Sequence, residues 1–122
     1  MSTTHPFLVG TAIAIAALAV WYLRGRLSEA AAKELLKAGA KVIDVRSPRE
    51  FNSGHLRDAV NIPYREVGQR IEAIVPDKST PLLVHCLGGG RSAIARSALR
   101  RKGYTQVHNL GSLGRARRIV EG

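Results

Sequence analysis

The sequence predicts an α/β fold, a central and mainly parallel sheet flanked by helices and preceded by one transmembrane helix. Three observations carry that prediction. Short β-branched runs such as Val42-Ile43-Asp44-Val45 alternate with segments of about ten residues whose apolar side chains recur at helical spacing. Glycine and proline mark the changes between the two patterns. Ahead of them all, Phe7 to Leu23 is apolar or small, with only Thr11 as a polar interruption.

The chain has 122 residues, enough for one modest core once the apolar N-terminus is set aside. We divide it into a tail at 1–6, a transmembrane signal anchor at 7–23, a basic linker at 24–27 and a folded domain at 28–122. As a helix, residues 7–23 reach about 25 Å, the short end of a bilayer span. Trp21 and Tyr22 close the segment, and Arg24 and Arg26 follow, the arrangement of an aromatic belt with basic residues beyond it. A cleaved signal peptide is the rival reading, because Ala17-Leu18-Ala19 has the small-x-small form that signal peptidase accepts. Met1 to His5 lacks the Lys or Arg of a secretory n-region, which favours the anchor. Basic residues after the span place the domain on the cytoplasmic side of a bacterial-type inner membrane, with a single pass; the alternative is a periplasmic domain after cleavage.

Beyond the anchor, Ser28 can cap a helix through Ala30, Ala31, Leu35 and Leu36 that Gly39 stops. Lys41 to Val45 reads as a buried strand. Pro48 starts a helical turn through Arg49-Glu50-Phe51, broken by Asn52-Ser53-Gly54, and Ala59 to Ile62 is a second strand closed by Pro63. Arg65 to Val75 carries Val67, Ile71, Ile74 and Val75 at helical spacing. Pro81 to Cys86 is the most apolar strand, and a glycine-rich turn leads from it to a helix over Ser92 to Lys102, stopped by Gly103. Gln106 to Leu110 is the last strand.

All 19 basic and 9 acidic side chains lie after Leu23, so the net charge of +10 belongs to the folded part. Such a field attracts an acidic membrane surface, nucleic acid or small oxyanions. No nucleic-acid motif is present, and no aromatic residues are interleaved with Arg100, Arg101 and Lys102 or with Arg115, Arg117 and Arg118. Both clusters read as solvated basic helix faces, and nucleic acid is not an expected partner. Cys86 is the one cysteine, which excludes an internal disulfide, a cysteine-based metal cluster and a resolving thiol within the chain. His5, His55 and His108 form no ligand spacing, so neither a metal nor another cofactor is expected.

The segment His85-Cys86-Leu87-Gly88-Gly89-Gly90-Arg91-Ser92 carries the functional argument. Consecutive glycines allow a tight turn whose N–H groups point inward over a helix start, a nest for an anion. Those dipoles and the Arg91 charge favour Cys86 as the thiolate, the nucleophilic form. The bland alternative is a buried structural cysteine before a flexible loop. It fits poorly with a strand, a cysteine, a glycine nest, an arginine and a helix start in that order. His85, one position earlier on the strand, points to the opposite face and reads as a packed or hydrogen-bonded residue.

Protein tyrosine phosphatases separate their cysteine and arginine by five residues, to fit a phosphate. Here four residues, Leu87 to Gly90, stand between Cys86 and Arg91, and the shorter loop resembles that of rhodaneses. Val42-Ile43-Asp44-Val45-Arg46 is similar to a first family signature. Glu50-Phe51 with Gly54-His55-Leu56 and Ala59-Val60-Asn61-Ile62-Pro63 resembles a second, and Gly103-Tyr104 with Val107 matches the stretch after the active-site helix. The resemblance spans about residues 28 to 114, and in the second half, particularly Asn61 to Lys78 and Lys102 to Gly122, the chain resembles the single-domain rhodaneses of the phage shock protein E type, which are periplasmic thiosulfate sulfurtransferases. Departures are Asp58 where the family usually has glycine, Gly111-Ser112 in place of paired glycines, and no tryptophan after them.

What the resemblance implies is a rhodanese-like fold and a catalytic Cys86 that takes the outer sulfur of thiosulfate as a persulfide. The N–H groups of Leu87, Gly88, Gly89, Gly90, Arg91 and Ser92 bind the substrate, Arg91 orients the anionic donor, and a thiol, an acceptor protein or cyanide then removes the sulfur. Asp44, Arg46 and Glu50 are expected to form a structural polar network, with Arg46 the one nearest a substrate. Two rival functions are a non-catalytic rhodanese module that binds a partner at the membrane, and a phosphatase or arsenate reductase using the same thiol.

Overall fold

A computed structural model describes residues 6–24 and 27–122; most of the expected tail and the linker residues 25 and 26 lie outside this range. Helix α1, Pro6–Arg24, covers the expected span. Its large apolar side chains stand exposed, Phe7, Leu8, Ile13, Ile15 and Leu18 each at more than half. Among the described residues, however, no helix is long and apolar enough to cross a membrane. The apolar stretch of about 17 residues is about 25 Å long against a hydrocarbon core of about 30 Å. The transmembrane assignment of 7–23 is therefore not supported.

The folded part is a four-stranded sheet, every pairing parallel, in the order β2-β1-β3-β4. Its strands are β1 (Lys41–Asp44), β2 (Val60–Asn61), β3 (Leu82–His85) and β4 (Val107–Gly111). The helices are α2 (Glu29–Lys37), α3 (Pro48–Asn52), α4 (Val67–Ile74), α5 (Gly90–Arg101) and α6 (Leu113–Glu121). The mainly parallel sheet expected from the alternation is thus wholly parallel, and β3 runs through its centre with all four residues buried.

Strand alternation divides the core in two. On one face Ile43, Leu82, Val84 and Cys86 pack with Val67, Ile71 and Val75 around α4 and with Ala95 and Leu99 of α5. On the other, Leu83 and Leu110 pack with Leu56, with Ala32 of α2 and with Ala116 and Ile119 of α6. In α2 it is Ala32 that is fully buried, next to the expected Leu35 and Leu36, and Ser28 caps the helix by accepting from the Ala31 N–H at 3.2 Å.

Helix α6 was legible only as a basic cluster. Ser112, which stands in place of a second glycine, caps it by accepting from the Arg115 N–H at 3.2 Å. Arg117 and Arg118 are exposed as expected, but Arg115 is not solvated: it is 6% exposed and donates to the Leu110 carbonyl at 2.7 Å and to the Leu27 carbonyl. The reason is positional, since Arg115 shares the inward stripe of α6 with Ala116 and Ile119 and its guanidinium satisfies one carbonyl in β4 and one just ahead of α2. The departure at Asp58 also has a physical account. Its φ of 61° is left-handed, a conformation that glycine adopts freely and that aspartate tolerates better than most residues.

Candidate active site

Cys86 follows β3 directly, at the carboxyl end of the central strand, and is 1% exposed. Its own N–H donates to the Gly111 carbonyl at 3.3 Å, which holds the exit of β3 against the end of β4. The chain then turns so that the Gly89 N–H donates to the Cys86 sulfur at 2.9 Å. That turn requires Gly89 at φ 102°, a left-handed conformation, where it also serves as the N-cap of α5. Gly88 and Gly90 face open space, with nothing within 4 Å of where a Cβ would lie. Leu87 is exposed, and its carbonyl accepts from the Leu113 N–H at 3.1 Å, which ties the loop to α6. Of the amides expected to ring the sulfur, Gly89's is the one that reaches it.

Ser92 lies in the first turn of α5 and is fully buried. Its hydroxyl is 3.5 Å from the Cys86 sulfur, 2.9 Å from the Gly89 carbonyl and 2.7 Å from Asn109 Oδ1. Asn109, a fully buried residue of β4, is a part of this site that the sequence reading missed. The available signal was an amide side chain at the same strand face as Val107 in the run Val107-His108-Asn109-Leu110.

Arg91 does not point freely at the loop. Its two terminal nitrogens donate to the Glu50 carboxylate at 2.6 and 2.9 Å, a bidentate pair that joins α5 to α3. Glu50 in turn accepts from the Ser47 N–H at 3.1 Å, and Ser47 Oγ accepts from the Glu50 N–H at 3.2 Å, a capping box at the start of α3. The Arg91 hydrogen bonds, helped by the Ser47 N–H, hold the Glu50 carboxyl down at about 2. Arg91 is held above its ordinary value by Glu50 first, with the charge of Cys86 adding to it. Glu50 is thus the member of the expected polar network that meets the loop.

Arg46, expected nearest a substrate, is 3% exposed and is held on the Asp44 side of the sheet. It donates to Asp44 through Nε at 3.0 Å and through a terminal nitrogen at 2.8 Å, and to the Gly54 carbonyl at 2.7 Å. His85 packs on that same side, opposite Cys86. It is fully buried, its ring nitrogens have no hydrogen-bond partner among the described residues, and Nε2 stands 3.8 Å from Asp44 Oδ2. Burial keeps its imidazole below the ordinary histidine value, so it is neutral near pH 7. Among the described residues, no group of three or more His, Cys, Asp or Glu is placed to hold a metal ion.

This arrangement suits a sulfur nucleophile held at a helix start, with a backbone donor on the sulfur and a cation near it. Comparison with known proteins agrees. Residues 28–112 match the rhodanese-like domain family. The chain is 44% identical over 71 residues to thiosulfate sulfurtransferase PspE of Escherichia coli, covering 58% of this chain and 68% of that one. It is 34% identical over 113 residues to the uncharacterized protein YqhL of Bacillus subtilis, covering 90% and 88%. A solved structure described as a rhodanese with anions from E. coli superimposes with a TM-score of 0.61 at 40% identity, over 63% of this chain and 91% of that one.

Proposed function

The chain belongs to the rhodanese-like domain family, and from that premise we propose that it is a thiosulfate sulfurtransferase carrying sulfur on Cys86. Relatives named as thiosulfate sulfurtransferases support sulfur transfer at the level of the family. The observation that carries the reading in this chain is the Gly89 N–H donating to the Cys86 sulfur at 2.9 Å at the start of α5. A donor aimed at that atom stabilises it as an anion and stabilises the sulfur that is added to it.

In the proposed reaction the Cys86 thiolate attacks the outer sulfur of thiosulfate. A new S–S bond forms, the S–S bond of thiosulfate breaks, and sulfite leaves with the electron pair. An acceptor thiolate, or cyanide in an assay, then attacks the terminal sulfur of the persulfide and returns Cys86 as the thiolate. Leu87, Gly88, Gly89, Gly90 and Ser92 form the wall against which the donor sits, and its open side at Gly88 and Gly90 gives the acceptor access. Arg91, tied to Glu50, acts chiefly as a positioning residue whose charge still favours anions at the sulfur. The test is sulfite release from thiosulfate without an acceptor. One sulfite per protein molecule is expected from the wild type and none from Cys86→Ser; release undiminished in Cys86→Ser would refute the assignment.

A second reading concerns location. Large apolar side chains of α1 from Phe7 to Val20 are exposed, and Ile13, Ala17 and Val20 share a groove of about 840 Å³ with Arg96, Arg100 and Arg101. Apolar and cationic groups side by side suit the chains and headgroups of acidic lipids, and the basic charge after α1 favours the cytoplasmic face. Flotation of the full chain with acidic vesicles, lost on deletion of residues 1–23, is expected; absence of flotation with acidic and neutral vesicles alike would refute it.

A further inference from the structure

The Ser92 hydroxyl has a single proton and three neighbours that compete for it. Asn109 Oδ1, the Gly89 carbonyl and the Cys86 sulfur lie 2.7, 2.9 and 3.5 Å from its oxygen. The two carbonyl oxygens can only accept. The orientation of the Asn109 amide is itself fixed, because Oδ1 accepts from the Gly111 N–H at 2.8 Å and Nδ2 donates to the Gly89 carbonyl at 3.3 Å. That carbonyl also accepts from the Ala93 N–H at 3.2 Å. With the Gly89 oxygen already shared, the Ser92 proton goes to Asn109, and a hydroxyl lone pair is left facing the sulfur.

We infer that Asn109 is a positioning residue for the sulfur chemistry, holding the Ser92 hydroxyl as an acceptor toward the Cys86 thiol and releasing it to donate once the thiolate forms. This rests on the reading of Cys86 as the nucleophile. In the thiol form, the S–H donates to Ser92 Oγ. When that proton leaves to solvent, the hydroxyl turns from Asn109 to the thiolate and joins the Gly89 N–H there. Asn109 Oδ1 keeps the Gly111 N–H, so no buried acceptor is left without a partner. The tighter Asn109 grips the hydroxyl proton, the more the thiol is favoured.

Two substitutions pull this device in opposite directions. Asn109→Asp places a stronger acceptor and a buried negative charge behind the hydroxyl, and Asn109→Ala removes the acceptor and frees the hydroxyl to donate. The experiment follows the pH dependence of Cys86 alkylation by iodoacetamide in the full chain, with thermal melting as the check on folding. Asn109→Asp should move the profile to higher pH and slow alkylation at pH 7 about tenfold. Asn109→Ala should move it to lower pH, an effect that vanishes in a Ser92→Ala background. Movement of both variants in one direction, no movement, or failure of both to fold would make Asn109 merely structural and overturn the inference. If Asn109→Asp alone fails to fold, the direction of Asn109→Ala decides. Alkylation needs no sulfur donor, so persulfide formation scored on the same samples separates failure of this inference from failure of the sulfurtransferase reading.

Discussion

His85 and Cys86 are consecutive residues at the end of β3, both buried, and they face opposite sides of the sheet. On the Cys86 side the buried side chains of the site have partners: Gly89 donates to the sulfur, and Asn109 and Ser92 satisfy each other and the loop. On the His85 side the Asp44–Arg46 pair is closed on itself and on Gly54, and among the described residues the imidazole has no hydrogen bond. The difference teaches where polar groups can serve chemistry. A satisfied network beside an open loop can trade hydrogen bonds during a reaction, whereas a sealed ion pair only holds segments together. Substitutions on the His85 face should therefore change stability, and substitutions on the Cys86 face should change reactivity.

The largest expected effect is on the His85 face. Asp44→Ala leaves Arg46 buried without its carboxylate and should cost about 3–5 kcal/mol in urea unfolding. The alkylation rate of Cys86 in the molecules that remain folded should be unchanged; a slowed rate there would break the comparison.

Arg91→Ala comes next and acts on the other face. It removes the bidentate tie to Glu50 and the cation near the sulfur, and should slow sulfur loading from thiosulfate about tenfold, equivalent to about 1.4 kcal/mol. Arg91→Lys should not restore the rate, because an ammonium cannot repeat the two parallel bonds. Full rescue by lysine would show that charge alone matters.

The smallest effect is a pH dependence. Burial lowers the His85 value, so the unfolded chain binds a proton more readily than the folded one. The stability this gives is fully present above about pH 6.5 and is lost as the pH falls below it toward the folded value. His85→Leu should flatten stability between pH 5 and 7 without slowing sulfur loading. A residual slope of the same sign is expected from half-buried His108, whose value burial also lowers. An unchanged slope in His85→Leu would mean that the buried imidazole does not titrate on unfolding.

The alternation of β-branched runs with helical segments was enough to foresee the sheet, and Ser28, Pro48 and the loop glycines were enough to foresee element starts and the turn at Cys86. What stayed illegible depends on pairing across the sheet. Glu50 meets Arg91 41 positions away, and Asn109 meets Ser92 across 17, so neither contact leaves a local pattern. Arg115 read as solvent-exposed because charge is local in sequence while the carbonyls it satisfies, at Leu27 and Leu110, are set by the fold. The apolar N-terminus shows the converse: its composition was plain, but composition did not establish a membrane span.

The most direct test of the central claim is the intact mass of the full chain and of Cys86→Ser after incubation with thiosulfate and removal of the donor. The account expects a gain of one sulfur, about 32 Da, in the wild type alone, reversed by cyanide or a thiol. No gain in the wild type, or an equal gain in Cys86→Ser, would contradict it.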